Sequence, residues 1–309
     1  MTSTEKALKG LIITLTFATI AVIVAKDVLM AIVFAASRAI GISGLTYLQM
    51  WALNAVIAYV PPLVIYAVAF RNFRSWVHES SPSSDFKYAL LPIYFVALYA
   101  LAVLSNLASH AIARGLDSLV GSGELRDPFA AVMPTSAYQW AIMFVFVGIV
   151  ATVAEEVIYR RLLLEPLRRF GDLQAVVITA LLFAALHGNF TQFLYAFTGG
   201  LILGIVTVRS NSLIPAIVLH SANNIFTLGL AYYSQTLDVG MITAIITITG
   251  LVALAALIAA KQASVKGSCP EEPGFSLKAQ LLFVTSTPAA IGAVLLLVVV
   301  LLVNMVKNW

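Results

Sequence analysis

Apolar residues run in long blocks along this chain, separated by short polar links. The blocks fall at about 11–36, 45–70, 88–112, 137–165, 173–187, 191–208, 213–233, 237–260 and 281–306. An α-helix needs about 20 predominantly apolar residues to cross a bilayer. The pattern predicts an all-α, polytopic membrane helix bundle with about eight to nine transmembrane helices. Lys26 and Asp27 interrupt the first block, as an intrahelical feature or as a break between two shorter pieces.

The links carry the breakers. Residues 71–87 hold Pro82 and a serine cluster, 113–136 hold Pro128 and Pro134, and 261–280 hold Pro270, Pro273 and Gly274; all three read as loops. None is large enough to fold alone, so residues 1–309 read as a single integral membrane domain. Lys6 and Lys9 before the first block resemble a signal peptide. No small-residue cleavage site follows and the block continues past residue 25, so it is expected to stay as a span.

Composition narrows the class. Hydrophobic residues make up 61% of the chain and charged ones 10%, with a mean hydropathy of +0.97. A soluble protein of this length needs far more surface charge. The net charge of +4 does not point to nucleic acid, because the basic residues stand at the ends of apolar blocks. That is a topology signal, and the expected partner is the lipid bilayer. With the N-terminus in the cytoplasm and nine alternating spans, 13 of the 18 Lys and Arg residues fall on the cytoplasmic side. Arg168, Arg169 and Arg209 read as topology anchors. Tyr47, Trp51, Tyr138 and Trp140 suit the membrane interface. The lone Cys269, in a polar link, allows no intrachain disulfide.

Against this background Glu155 and Glu156 stand out, inside one of the most apolar stretches. Ionisable groups in a membrane are costly and mark a functional site by default. Glu156 and Arg160 are four apart, the favourable order for a helical ion pair, and read as structural. Glu155 lies about 100° round the helix and need not share that arginine. It is the candidate working carboxylate: desolvation disfavours the charged form of a carboxylate, which suits a general base.

Glu155 and His187 each lie sixteen residues from Gly171, before and after it. Two antiparallel helices turning at Gly171 place both about 24 Å from the turn, at the same depth. Block 173–187 is too short to cross, so His187, Gly188 and Asn189 are expected in a recessed turn. Such a turn is tolerated only against protein or a wet cavity. His220 enters the site from a later hairpin that turns near Asn211, with Asn224 one turn further on the same face. Its depth, about 14 Å, matches the first pair only if the Arg168–Phe170 end protrudes or tilts. His187 can orient a water, and His220 and Asn224 can donate to an oxyanion; Asn223 is the alternative to Asn224. Phe183, one turn before His187, is expected to pack beneath the site.

Glu155-Glu156-x-x-x-Arg160, Phe183-x-x-x-His187 and His220-x-x-x-Asn224 resemble the three motifs of the CAAX-protease and bacteriocin-processing (Abi) family of intramembrane glutamic endopeptidases. The resemblance covers about residues 137–230, the expected catalytic helix core. It implies that Glu155 activates the water with help from His187, that His220 and Asn224 form the oxyanion site, and that no cofactor is required. It also implies a membrane-associated protein or peptide substrate, lipidated in the family's best-known members, and an integral protein of a prokaryotic cell membrane. Two other readings stand beside it. Glu155, His187 and His220 could bind zinc as in a membrane metalloprotease, although H-E-x-x-H is absent. The buried polar groups could instead serve a scaffold or transporter, although no internal repeat is evident. His78 and His110 lie outside the constellation. Gly199, Gly200 and Gly204 read as close helix packing.

Overall fold

The computed structural model describes residues 3–40, 45–76, 82–120, 133–188, 190–234, 236–262 and 287–307. Every regular element among them is helical. In chain order they are α1 (Ser3–Ile40), α2 (Tyr47–Ala69), α3 (Leu91–Val120), α4 (Ala137–Phe170), α5 (Asp172–Leu186), α6 (Phe190–Ser210), α7 (Ile214–Tyr233), α8 (Gly240–Ala259) and α9 (Pro288–Lys307). Seven of these are long and apolar enough to cross a membrane, and two stretches, Asp172–Leu186 and Pro288–Val303, are shorter apolar helices. The polytopic helical bundle expected from the block pattern is the observed architecture. α1 runs unbroken through Lys26 and Asp27, which makes them an intrahelical feature. Cys269, His78 and Asn189 lie outside the described residues.

The bundle is apolar on its outer face and sets a few polar side chains into an apolar core. Val56, Val60, Val64 and Val68 follow one another at four-residue steps along α2 and are all exposed, while Tyr66 on the other face is fully buried. Thr16, Thr19, Ser109, Thr152, Glu156, Arg160 and His220 are all buried. Lipid offers no hydrophobic drive between helices, so close packing of small residues must hold them together. A Cβ on Gly200 would meet the Ala180 backbone at 3.1 Å, and one on Gly204 would meet Val176 at 3.0 Å. These two glycines let α6 lie close against α5. Gly199 does not share the role: its Cβ would make an ordinary 3.7 Å contact with Leu98.

α3 packs between α6 and α8, and α1 between α2 and α9. The tightest crossing is at Gly250, where a Cβ would stand 2.1 Å from the Val96 carbonyl oxygen. Backbone cannot yield as a flexible side chain can. Gly250→Ala is therefore expected to destabilise the protein by about 1–3 kcal/mol, the overpacking range. The check is thermal unfolding in detergent, with Gly229→Ala as control, since a Cβ there meets nothing within 4 Å.

Tyr138 is exposed, while Trp51 and Trp140, near the starts of α2 and α4, are packed against Met143 and Leu228 in a cluster joining α2, α4 and α7. One sequence expectation needs correction. Arg168 is no solvated anchor. It is buried, its Nε donates to Asp172 at 2.7 Å and its Nη1 donates to Asn211 at 3.0 Å. It ties the Gly171 turn to the Asn211 turn, satisfying groups that would otherwise be buried without partners.

Candidate active site

α4 is irregular where it matters. Two π-helical stretches, Phe146–Ala151 and Val157–Leu164, flank a single α turn, Thr152–Glu156. Such insertions cluster at functional sites. The first stretch is held from α7: Thr152 Oγ1 lies 2.7 Å from Ser221 Oγ, and Asn224 Nδ2 donates to the Val147 carbonyl at 3.1 Å. The second follows Glu156 directly and places more residues in each turn than an α-helix would. That shortens the path from Glu156 to the Gly171 turn and contributes to bringing it level with His220. Arg168 and Phe170 at the end of α4 are buried, and the Arg168 guanidinium reaches the Asn211 side chain at the next turn.

The hairpin register is the one the spacing about Gly171 implies. Gly171 itself has φ 125°, open to glycine alone at little cost. Tyr159 and Phe183, twelve residues either side of it, meet edge to face at 5.0 Å between ring centroids. Phe183 is the hub of the site. Its ring lies 4.7 Å from the His187 ring and 5.9 Å from the His220 ring, both edge to face. The Arg160 guanidinium carbon sits 5.6 Å from its centroid.

The two carboxylates have separate surroundings joined by one imidazole. Glu156 is fully buried; its Oε2 accepts from Arg160 Nε at 3.1 Å and its Oε1 lies 2.9 Å from His220 Nδ1. Glu155 keeps 16% side-chain exposure; its Oε2 is 3.7 Å from His220 Nε2, and its Oε1 accepts from the Tyr59 hydroxyl at 3.1 Å. Glu156 is therefore more than the partner of Arg160: it also orients His220.

Acceptor chemistry assigns the protons on the rings. The Phe183 carbonyl, 2.6 Å from His187 Nδ1, can only accept, so His187 carries its proton on Nδ1 and leaves Nε2 as an acceptor. The Glu156 carboxylate likewise accepts a hydrogen bond from His220 Nδ1–H. To donate through Nε2 as well, His220 must be protonated on both nitrogens.

The structure thus brings Glu155, Glu156, Arg160, Phe183, His187 and His220 together. Asn224 shares the α7 face with His220, but one of its amide hydrogens is already committed to α4. The neighbouring Asn223 has a buried amide oxygen that meets no hydrogen-bond donor among the described residues. No group of three or more His, Cys, Asp or Glu among the described residues is arranged to hold a metal ion. Sequence reasoning missed Tyr59. It comes from α2, far away in the chain, and looks like one more aromatic in an apolar block.

A polytopic helical membrane protein with an acid and histidine cluster between its helices is the class that fold and site define. Residues 137–226 match the family model described as Type II CAAX prenyl endopeptidase Rce1-like, in keeping with the motif resemblance. Among curated proteins and solved structures nothing matches. The matched segment spans all of α4, α5 and α6 and most of α7.

Proposed function

We propose that the protein hydrolyses a peptide bond in a membrane-associated protein or peptide, with Glu155 as the base that activates the water. The observation that carries this reading is the division of labour around His220. One carboxylate, Glu156, is sealed and ion-paired, while the other, Glu155, is partly open and has no Lys or Arg within ion-pair distance among the described residues. Glu155 takes a proton from water whose second hydrogen can be accepted by His187 Nε2. The hydroxide adds to the scissile carbonyl, and the oxyanion is met by the remaining N–H of Asn224 and by doubly protonated His220. Collapse of the tetrahedral intermediate breaks the C–N bond, and the proton held by Glu155 passes to the leaving amine. Donors aimed at such an oxyanion typically supply several kcal/mol.

The test compares new protein termini in membranes from cells making wild-type protein or Glu155→Gln. A farnesylated CAAX peptide, offered to protein in liposomes, is the first defined substrate to try. Termini present with wild type and missing with Glu155→Gln are the expected result. Equal termini in both would overturn the reading, as would activity that is abolished by a chelator and restored by zinc.

A further inference from the structure

Lys26 is a charged group in a membrane-spanning helix that the catalytic reading leaves unused. On α1 the buried positions Leu8, Leu11, Leu15, Thr19 and Val22 form a stripe at helical spacing. Lys26, four residues beyond Val22, is the next position on that stripe. It is half-buried and, among the described residues, makes no hydrogen bond or close ion pair. Asp27, about 100° further round the helix, is exposed.

The stagger of α1 against α2 says what Lys26 faces. The two helices are consecutive and packed together. The Thr19 hydroxyl lies 3.0 Å from the Tyr66 hydroxyl, which fixes their register. Seven residues along α1 from Thr19 is Lys26; seven back along α2 from Tyr66 is Tyr59. In an antiparallel pair both steps run the same way for about 10 Å, or two turns. Lys26 therefore stands level with Tyr59, whose hydroxyl is hydrogen-bonded to Glu155. Electrostatic coupling agrees: Lys26 interacts with Glu155 more strongly than with its chain neighbour Asp27, and His187 interacts with both Glu155 and Lys26.

We propose that Lys26 is the counter-charge of Glu155, a positioning residue that works with Tyr59 to keep the carboxylate ionised and aimed. The inference rests on the reading of Glu155 as the base. It completes a charge pattern in which each carboxylate has its own cation: Arg160 in direct contact with Glu156, and Lys26 at longer range from Glu155. The difference in range has a chemical sense. A lysine or arginine in direct contact would quench the base, whereas one at longer range favours its charged form and leaves an oxygen for water. The groups facing Glu155 are Lys26 from α1, Tyr59 from α2, Glu156 and Tyr159 from its own helix, His187 from the end of α5 and His220 from α7. Of these Lys26 is the one lysine or arginine. The plainer role for a lysine in a span is snorkelling to the interface; that role predicts no effect on Glu155.

The decisive test needs no substrate. The infrared band of the protonated Glu155 carboxyl is the one missing in Glu155→Gln, and it is followed against pH in liposomes. In Lys26→Met it should grow in at higher pH than in wild type, because the acid form no longer competes with a carboxylate facing a cation. Lys26→Arg should restore the wild-type midpoint, and Lys26→Gln replaces the methionine variant if that fails to fold. An unchanged midpoint in the neutral variant would overturn the proposal whether or not cleavage is detected. Turnover then gives the second arm. Lys26→Met should lower kcat about tenfold, less than the roughly hundredfold or more that a general base itself contributes, with KM little changed and the acid limb moved to higher pH. A rise in KM alone would mean that Lys26 binds substrate instead. Cleavage that persists in Glu155→Gln would remove Glu155 as the base, while the infrared midpoint still decides on the counter-charge.

Discussion

Glu155→Gln should lower kcat by about a thousandfold, within the range lost with a general base, while the melting temperature in detergent stays near that of wild type. The amide fills the same space, and its oxygen still accepts from Tyr59. What disappears is the basic oxygen near His220. Glu155→Asp should be intermediate. It keeps the carboxylate but withdraws it by one methylene, and a misplacement of about 1 Å can cost about a hundredfold. His187→Ala should cost less than Glu155→Gln, because the imidazole orients the water and does not take its proton. The assay is cleavage of one defined peptide at saturating concentration, alongside unfolding of each variant. Wild-type turnover by Glu155→Gln would remove Glu155 from the chemistry.

Much of this site is legible in the sequence because membranes make charge conspicuous. Two glutamates in an apolar block need a reason, and the equal spacing of Glu155 and His187 about Gly171 places them on facing helices. The same logic applies to Lys26, but a lysine beside an aspartate also resembles the edge of a span, and that resemblance hides it. Tyr59 carries no signal at all. Its role depends on how α2 packs against α4, a tertiary fact that no periodicity in α2 records. The π stretches of α4 are equally silent, since an added residue per turn leaves an apolar run apolar. Arg168 misleads for the opposite reason: paired arginines at a helix end match the topology pattern whether they face water or, as Arg168 does here, buried Glu165 and Asp172 and half-buried Asn211.

Arg160→Met should destabilise the protein by about 3–5 kcal/mol, because it strands the Glu156 carboxylate in a fully buried site. Only His220 would remain to compensate it. The double variant Glu156→Leu with Arg160→Met removes both charges, and replacing a buried ion pair with apolar groups of similar volume is often neutral or stabilising. It should regain most of the lost stability. It should not regain activity, because Glu156 also serves His220: its Oε1 holds His220 Nδ1 at 2.9 Å and fixes which nitrogen faces Glu155. Stability and turnover therefore part company in the double variant, a separation a purely structural ion pair would not produce. Unfolding curves and peptide cleavage on the three proteins decide the matter. Full activity in the double variant would show that His220 needs no carboxylate behind it, and wild-type stability in Arg160→Met would show that Glu156 is not held as a buried anion.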